Sequence, residues 1–368
     1  MPIEIESPEQ MEGGYAGILN NLTESSISDC KLEDIGISNL DLSQLVLAYG
    51  DHLGKKELRE LIAADAGVSP DEVIVTAGAA SALFIINTTL LKPGDRLVVE
   101  YPNYGILLET PRAIGAKVDL LSIKFEEGFQ LNVPEIKTCL QNKTKLLSIT
   151  TPHNPTGTVI SESALREIVD LTKASGTYLL VDETYRDMAF EEATPNAATL
   201  GTHVLSVSSL SKTYGLPGIR IGWIICRDKD LMEKFLAAKE QMVICGSALD
   251  EEVAYQFLKK KQEFLPKIKS VIHEKRKILF DWFKEQDHIE FVEPKAGVVC
   301  FPRLKTTDSA KIDEFYEVLN KEHQTWVGPG HWFEMERRYM RVGYGWPKTE
   351  ELIRGLNCIS QTLKKVFK

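Results

Sequence analysis

Between residues 73 and 226, short apolar runs recur with a regularity that leaves few folds open. The runs at 73–76, 96–100, 117–123, 145–150, 178–182, 203–208 and 219–226 are rich in Val, Ile and Leu. They are separated by stretches such as 161–174, whose apolar residues fall at helical spacing. Strand and helix in alternation imply a largely parallel sheet with helices on both faces, since each parallel connection has to cross back over the sheet. A chain of 368 residues is too long for one ordinary core, and after residue 242 the pattern changes. Residues 248–286 read as long, charged and helical; strand-like pieces at 297–301 and 340–342 then alternate with helices at 308–320 and 349–367. The expected fold is α/β: a three-layer α/β/α large domain with a mostly parallel sheet over 45–247, and a smaller α+β domain over 248–368. Residues 1–44, with a Gly-Gly pair and few periodic runs, are expected to pack as an arm on the smaller domain.

In sheets of this kind ligands gather at the carboxyl ends of the strands, and the polar motifs of this chain fall there. The run at 203–208 leads into Ser209-Leu210-Ser211-Lys212, and Arg220 follows eight positions after the lysine. A lysine that closes a run of hydroxyl residues, with a guanidinium nearby, suits a covalently held cofactor bearing a phosphate. Pyridoxal phosphate is of that kind. Asp182 ends the run Tyr178-Leu179-Leu180-Val181 and can pair with a protonated pyridine nitrogen, with Tyr185 three residues on. Asn154 sits in Thr151-Pro152-His153-Asn154-Pro155-Thr156-Gly157, where the following proline holds it extended and able to aim its amide at a ligand. Gly78-Ala79-Ala80-Ser81 opens a helix after the first strand, and small residues there let backbone N–H groups reach a phosphate. Tyr104 could stack on a flat ring. Taken singly, each has a plain alternative. Lys212 reads equally as a solvated surface lysine, Asp182 as a helix N-cap, Tyr185 as a packing residue, Asn154 and Tyr104 as turn residues, and 78–81 as an ordinary helix start.

Composition narrows the partners. With 53 acidic against 43 basic residues, and the basic ones scattered, nucleic acid is not the expected partner. Six dispersed cysteines without a C-x-x-C pair indicate neither a zinc site nor a disulfide framework, so no metal is expected and the thiols read as reduced in a cytoplasm. No targeting or membrane segment is visible.

Taken together, the segments around Tyr49, Gly78, Tyr104, Asn154, Asp182, Lys212 and Arg341 resemble the class I/II aminotransferases, the fold type I family of pyridoxal phosphate enzymes. Asn154-Pro155-Thr156-Gly157, the D-E-x-Y pattern at Asp182 and S-x-S-K-x-x-G-x-x-G-x-R from Ser209 to Arg220 occur in the family's order. The resemblance implies that Lys212 forms the Schiff base and shuttles the proton, while Asp182 pairs with the pyridine nitrogen. Asn154 and Tyr185 bind the ring oxygen, and Tyr104 stacks on the ring. Ala79 and Ala80 by backbone, with Ser209 and Arg220 by side chain, hold the phosphate, and Tyr49 reaches it from the partner subunit of a homodimer. Arg341, in Arg338-Tyr339-Met340-Arg341, matches the arginine that grips the substrate carboxylate, where Lys would not substitute for a planar fork. Two departures stand out. Ala79-Ala80 replaces a more polar phosphate loop, and the arm lacks the usual glycine-containing substrate loop, leaving residues 21–25 as the segment to reach the pocket. The activity implied is transfer of an amino group between an amino acid and a 2-oxo acid, with a lyase or decarboxylase as the alternative and a cofactor-binding regulatory module as a more distant one.

Overall fold

The computed structural model describes residues 17–37, 40–140, 143–191 and 193–367; residues 1–16 and 38–39 of the expected arm lie outside them. The first described element is a short strand, β1 (Asn20–Leu22). A seven-stranded sheet follows, built from β2 (Val73–Ala77), β3 (Arg96–Tyr101), β4 (Lys117–Ser122), β5 (Leu146–Thr150), β6 (Tyr178–Asp182), β7 (Val204–Ser209) and β8 (Ile221–Cys226). Its order is β2-β8-β7-β6-β5-β3-β4. β8 is antiparallel to both neighbours, and the other pairings are parallel. The seven apolar runs are these seven strands.

Helices α1 (Lys56–Ala66), α2 (Gly78–Leu90), α3 (Ile106–Ile114), α4 (Val133–Leu140), α5 (Glu162–Ser175) and α6 (Lys229–Val243) cover the sheet. Side chains alternate faces along a strand, and the two faces bury different partners. Leu97, Val99, Leu180, Leu205 and Val207 pack with α2 and α6, whereas Val98, Leu147, Leu179 and Val181 pack with α4 and α5. The ends of α5 show how local chemistry sets these helices. The Ser161 hydroxyl accepts from Ala164 N, and Gly176 closes the helix at φ 68°, a left-handed conformation that costs glycine little.

The remainder contains α7 (Ala248–Lys259), α8 (Lys261–Phe283), β9 (Ile289–Glu290), β10 (Val299–Cys300), β11 (Arg303–Leu304), α9 (Ser309–Lys321), β12 (Thr325–Pro329), β13 (Met340–Gly343) and α10 (Thr349–Val366). A second sheet runs β1-β12-β13-β10, and β9 pairs with β11. On α10, Leu352, Leu356, Ile359 and Leu363 form one stripe against Phe315, Leu319, Val342 and Leu22, each fully buried side chain contributing about 2 kcal/mol. β1 pairs in parallel with β12, so the described start of the chain lies on this second sheet.

The structure differs from the sequence pattern at 248–286. The stretch is two helices, and α7 packs Val253, Ala254 and Phe257 against Leu58, Ile62 and Val73 rather than against the second sheet. Its high charge hides a narrow apolar face that matches α1.

Candidate active site

Strand parity brings the site together. Asp182 shares the face of Leu180, Ser209 that of Val207, and Thr150, which pairs with Asp182, that of Leu146. All three therefore end their strands on the side of α2, whose first turn starts directly after β2. Between them lies an open cavity of about 220 Å³, lined by Ala79, Ala80, Tyr104, Asn154, Asp182, Tyr185, Ser209, Lys212 and Arg220, nine residues singled out in the sequence. Arg341, on β13, reaches it from the second sheet: Nη1 donates to Asn154 Oδ1 at 3.3 Å. Tyr49 is 79 % exposed and does not line this chain's cavity.

One end of the cavity is a cradle of backbone and guanidinium. Gly78 has φ +78°, and a Cβ there would stand 2.4 Å from Arg220 Nη2; a Cβ on Gly222 would stand 2.6 Å from Ala79 N. Only glycine at both positions lets β8 and Arg220 close on the first turn of α2, whose free N–H groups and dipole favour an anion. Arg220 Nη1 is steadied by the Pro217 carbonyl at 2.8 Å and Ser211 Oγ at 3.3 Å. Ser211 lines the cavity too and adds a hydroxyl beside the Ala79-Ala80 turn. It stands next to Lys212 in the sequence, and that adjacency was the signal available for finding it.

The middle of the cavity is acidic. Asp182 Oδ1 accepts from Thr184 N at 3.0 Å and Thr184 Oγ1 at 2.6 Å, which leaves Oδ2 for a further donor. Burial raises the Asp182 pKa against those two bonds, so a cation placed at Oδ2 would be held strongly. Asn154 Oδ1 is taken by Arg341, which leaves the amide donor Nδ2 for a ligand in the cavity that Asn154 lines. The Tyr185 hydroxyl donates to the Ser25 carbonyl at 2.7 Å. Its one proton is therefore engaged, and Asn154 is the better-placed donor to a ring oxygen.

A strap of residues 23–30, which sequence periodicity did not reveal, ties the parts together. The Thr23 carbonyl accepts Arg341 Nη2 at 2.6 Å. Ile27 N donates to the Lys212 carbonyl, and Cys30 N to that of Gly215. Phe333 lies 5.1 Å beneath the Arg341 guanidinium. Phe333 itself is a core residue packed with Phe301 and Tyr339 and does not line the cavity.

Behind this wall, Glu100 is buried with Oε2 accepting Thr150 N at 2.7 Å, and His153 Nε2 lies 3.9 Å away. Burial lifts Glu100 to about 8 and lowers His153 to about 3, so both are neutral near pH 7. The folded chain binds the Glu100 proton more tightly than the unfolded chain does. The stability this contributes is complete below the ordinary carboxylate value of 4.5 and is lost as pH rises through about 8. Glu100→Gln should flatten that slope. In urea unfolding, wild type should lose stability relative to the variant between about pH 5 and 8, by on the order of 1–4 kcal/mol; parallel slopes would mean Glu100 is ionised throughout.

Comparison with known proteins decides what this arrangement belongs to. The family model described as aminotransferase class I and II matches residues 20–357. The chain belongs to this family. Among class I and II aminotransferases and their relatives, capreomycidine synthase of Streptomyces vinaceus is 31 % identical over 88 % of this chain and 82 % of its own. An aspartate aminotransferase of Sulfurisphaera tokodaii is 25 % identical over 85 % and 81 %. The crystal structure of a PLP-dependent aminotransferase from Streptococcus suis superposes with a TM-score of 0.89 at 30 % identity, covering 96 % and 95 % of the two chains. The protein is a pyridoxal-phosphate-dependent aminotransferase that moves an amino group between an amino acid and a 2-oxo acid. The lyase or decarboxylase alternative is not favoured by these relatives. The donor set suits the cofactor: an anion cradle at α2, an amide that could meet the ring oxygen, a buried carboxylate oxygen that could meet the ring nitrogen, and a lysine lining the same cavity. Among the described residues no cluster of metal ligands occurs, and no helix is long and apolar enough to cross a membrane.

Proposed function

We propose the following division of labour, which rests on one observation: nine of the residues named for these roles line a single cavity, with Arg341 at its edge. Bound there, pyridoxal phosphate supplies an electron-accepting ring that stabilises negative charge on the α-carbon of an attached amino acid. The first turn of α2 at Ala79 and Ala80, with Ser209 and Arg220, binds the phosphate. Asp182 Oδ2 holds the proton on the ring nitrogen, since a carboxylate desolvated by burial is best satisfied by an N–H⁺ donor. Asn154 Nδ2 donates to the ring oxygen. Tyr185, with its proton on Ser25, accepts beside it or rotates to donate. Tyr104 stacks on the ring. Lys212 is the point of covalent attachment, and its Nζ takes the proton from the substrate α-carbon.

Arg341 binds the α-carboxylate by its planar fork, already aimed by Asn154, Thr23 and Phe333. Tyr49 completes the phosphate site of a neighbouring subunit in a cytoplasmic twofold homodimer. Exposed Val46 and Leu47 beside Tyr49, and the consecutive exposed Met242, Val243 and Ile244, support that reading, because apolar side chains bared next to one another suit a covered face. The amino donor and acceptor are ordinary α-amino and 2-oxo acids. Stoichiometric enzyme mixed with a donor and no acceptor should release one 2-oxo acid per subunit and then stop until a 2-oxo acid is added. Continued release of ammonia or carbon dioxide would replace transfer by bond cleavage.

A further inference from the structure

Ser25 is 5 % exposed and lines the cavity, and its hydroxyl has no hydrogen-bond partner among the described residues. Nor is that oxygen sealed off by neighbouring atoms. Its place is fixed from several sides. The Ser25 carbonyl accepts Tyr185, and the Thr23 carbonyl, two residues earlier, accepts Arg341. A Cβ on Gly343 would come within 1.9 Å of the Glu24 carbonyl oxygen, so the strap lies directly on β13. Ser25 thus stands between the carboxylate end of the substrate, at Arg341, and the ring oxygen end, at Tyr185.

A hydroxyl open to a cavity can bond water until a ligand excludes it, and it then calls for a polar group on whatever enters. The functional reading given above, on which this rests, already assigns three of the four bonds at the substrate α-carbon. The nitrogen goes to the cofactor, the carboxylate to Arg341 and the hydrogen to Lys212. What remains is the side chain. A side-chain carboxylate would call for a guanidinium, and the described lining offers only Arg220, at the phosphate end. We propose that Ser25 is a specificity-determining residue. Its hydroxyl hydrogen-bonds a neutral polar group on the β- or γ-carbon of the amino donor, so that hydroxyl- and amide-bearing amino acids are favoured over apolar isosteres.

Matched pairs test it: serine against 2-aminobutyrate and threonine against valine, in wild type and Ser25→Ala, which keeps the main-chain carbonyls that hold Tyr185 and Arg341. In wild type the polar member should be ahead in kcat/KM by roughly tenfold to a hundredfold. Ser25→Ala should bring the ratio close to one, mainly by loss on the polar member. Dissociation constants of α-methylserine and isovaline, which lack the α-hydrogen, should show the same collapse without turnover. An unchanged ratio overturns the assignment, and so does an equal fall for both members, which would place the hydroxyl on the carboxylate instead. If no donor is turned over but the binding ratio still depends on Ser25, the functional reading fails while the contact stands.

Discussion

Lys212→Ala should leave a folded protein whose transamination is reduced by roughly four orders of magnitude or more, because one residue is asked to supply both the covalent tether and the proton carrier. The loop itself should survive. The Lys212 carbonyl is held by Ile27 N, and Thr213 Oγ1 donates to the Thr184 carbonyl, contacts that do not involve the lysine side chain. Steady-state assays with saturating donor and acceptor check the loss, and circular dichroism checks the fold. The same variant reads out the dimer. Mixed under conditions of subunit exchange with an inactive Tyr49 variant, it should recover activity toward about a quarter of all sites, since a hybrid gathers both lesions in one site and leaves the other intact. No recovery despite exchange would keep Tyr49 out of the neighbour's site.

Arg341→Lys should raise the donor KM by about 10- to 100-fold with a smaller effect on kcat. In the folded chain the guanidinium is used three ways at once: Nη1 on Asn154 Oδ1, Nη2 on the Thr23 carbonyl, and its face on Phe333. An ammonium on a flexible stem can satisfy one of these and cannot present a fork to a carboxylate. Cofactor affinity should change little, because the cradle at α2 and Arg220 is untouched. A KM unchanged for every accepted donor would move the carboxylate to another residue.

How much of this was legible in the sequence follows from what each element is made of. The large sheet was, because its strands, the edge strand β4 apart, are buried on both faces and so read as apolar runs, several of them ending in the polar residues of the site. Asp182 after Val181 and Ser208-Ser209 after Val207 are the plainest cases. β1 was not. Asn20 and Asn21 are polar yet buried; Asn20 bonds Thr325 and Arg354, while Asn21 Oδ1 accepts from Thr23 and its Nδ2 is left without a hydrogen bond among the described residues. Those partners are distant in sequence or carry no periodic pattern. The strap after β1 was hidden for a related reason: it acts mainly through main-chain carbonyls and N–H groups, which any residue supplies. Ser25 was noticed only as part of a segment able to reach the pocket. The split of 248–286 into α7 and α8 was obscured by charge, since the apolar face of α7 is three residues wide.

The most direct measurement is borohydride reduction of the purified protein with its cofactor, followed by proteolysis and mass spectrometry of the labelled peptide. The account predicts one pyridoxyl group per subunit, on Lys212. A label on any other lysine, or none with cofactor bound, would contradict it.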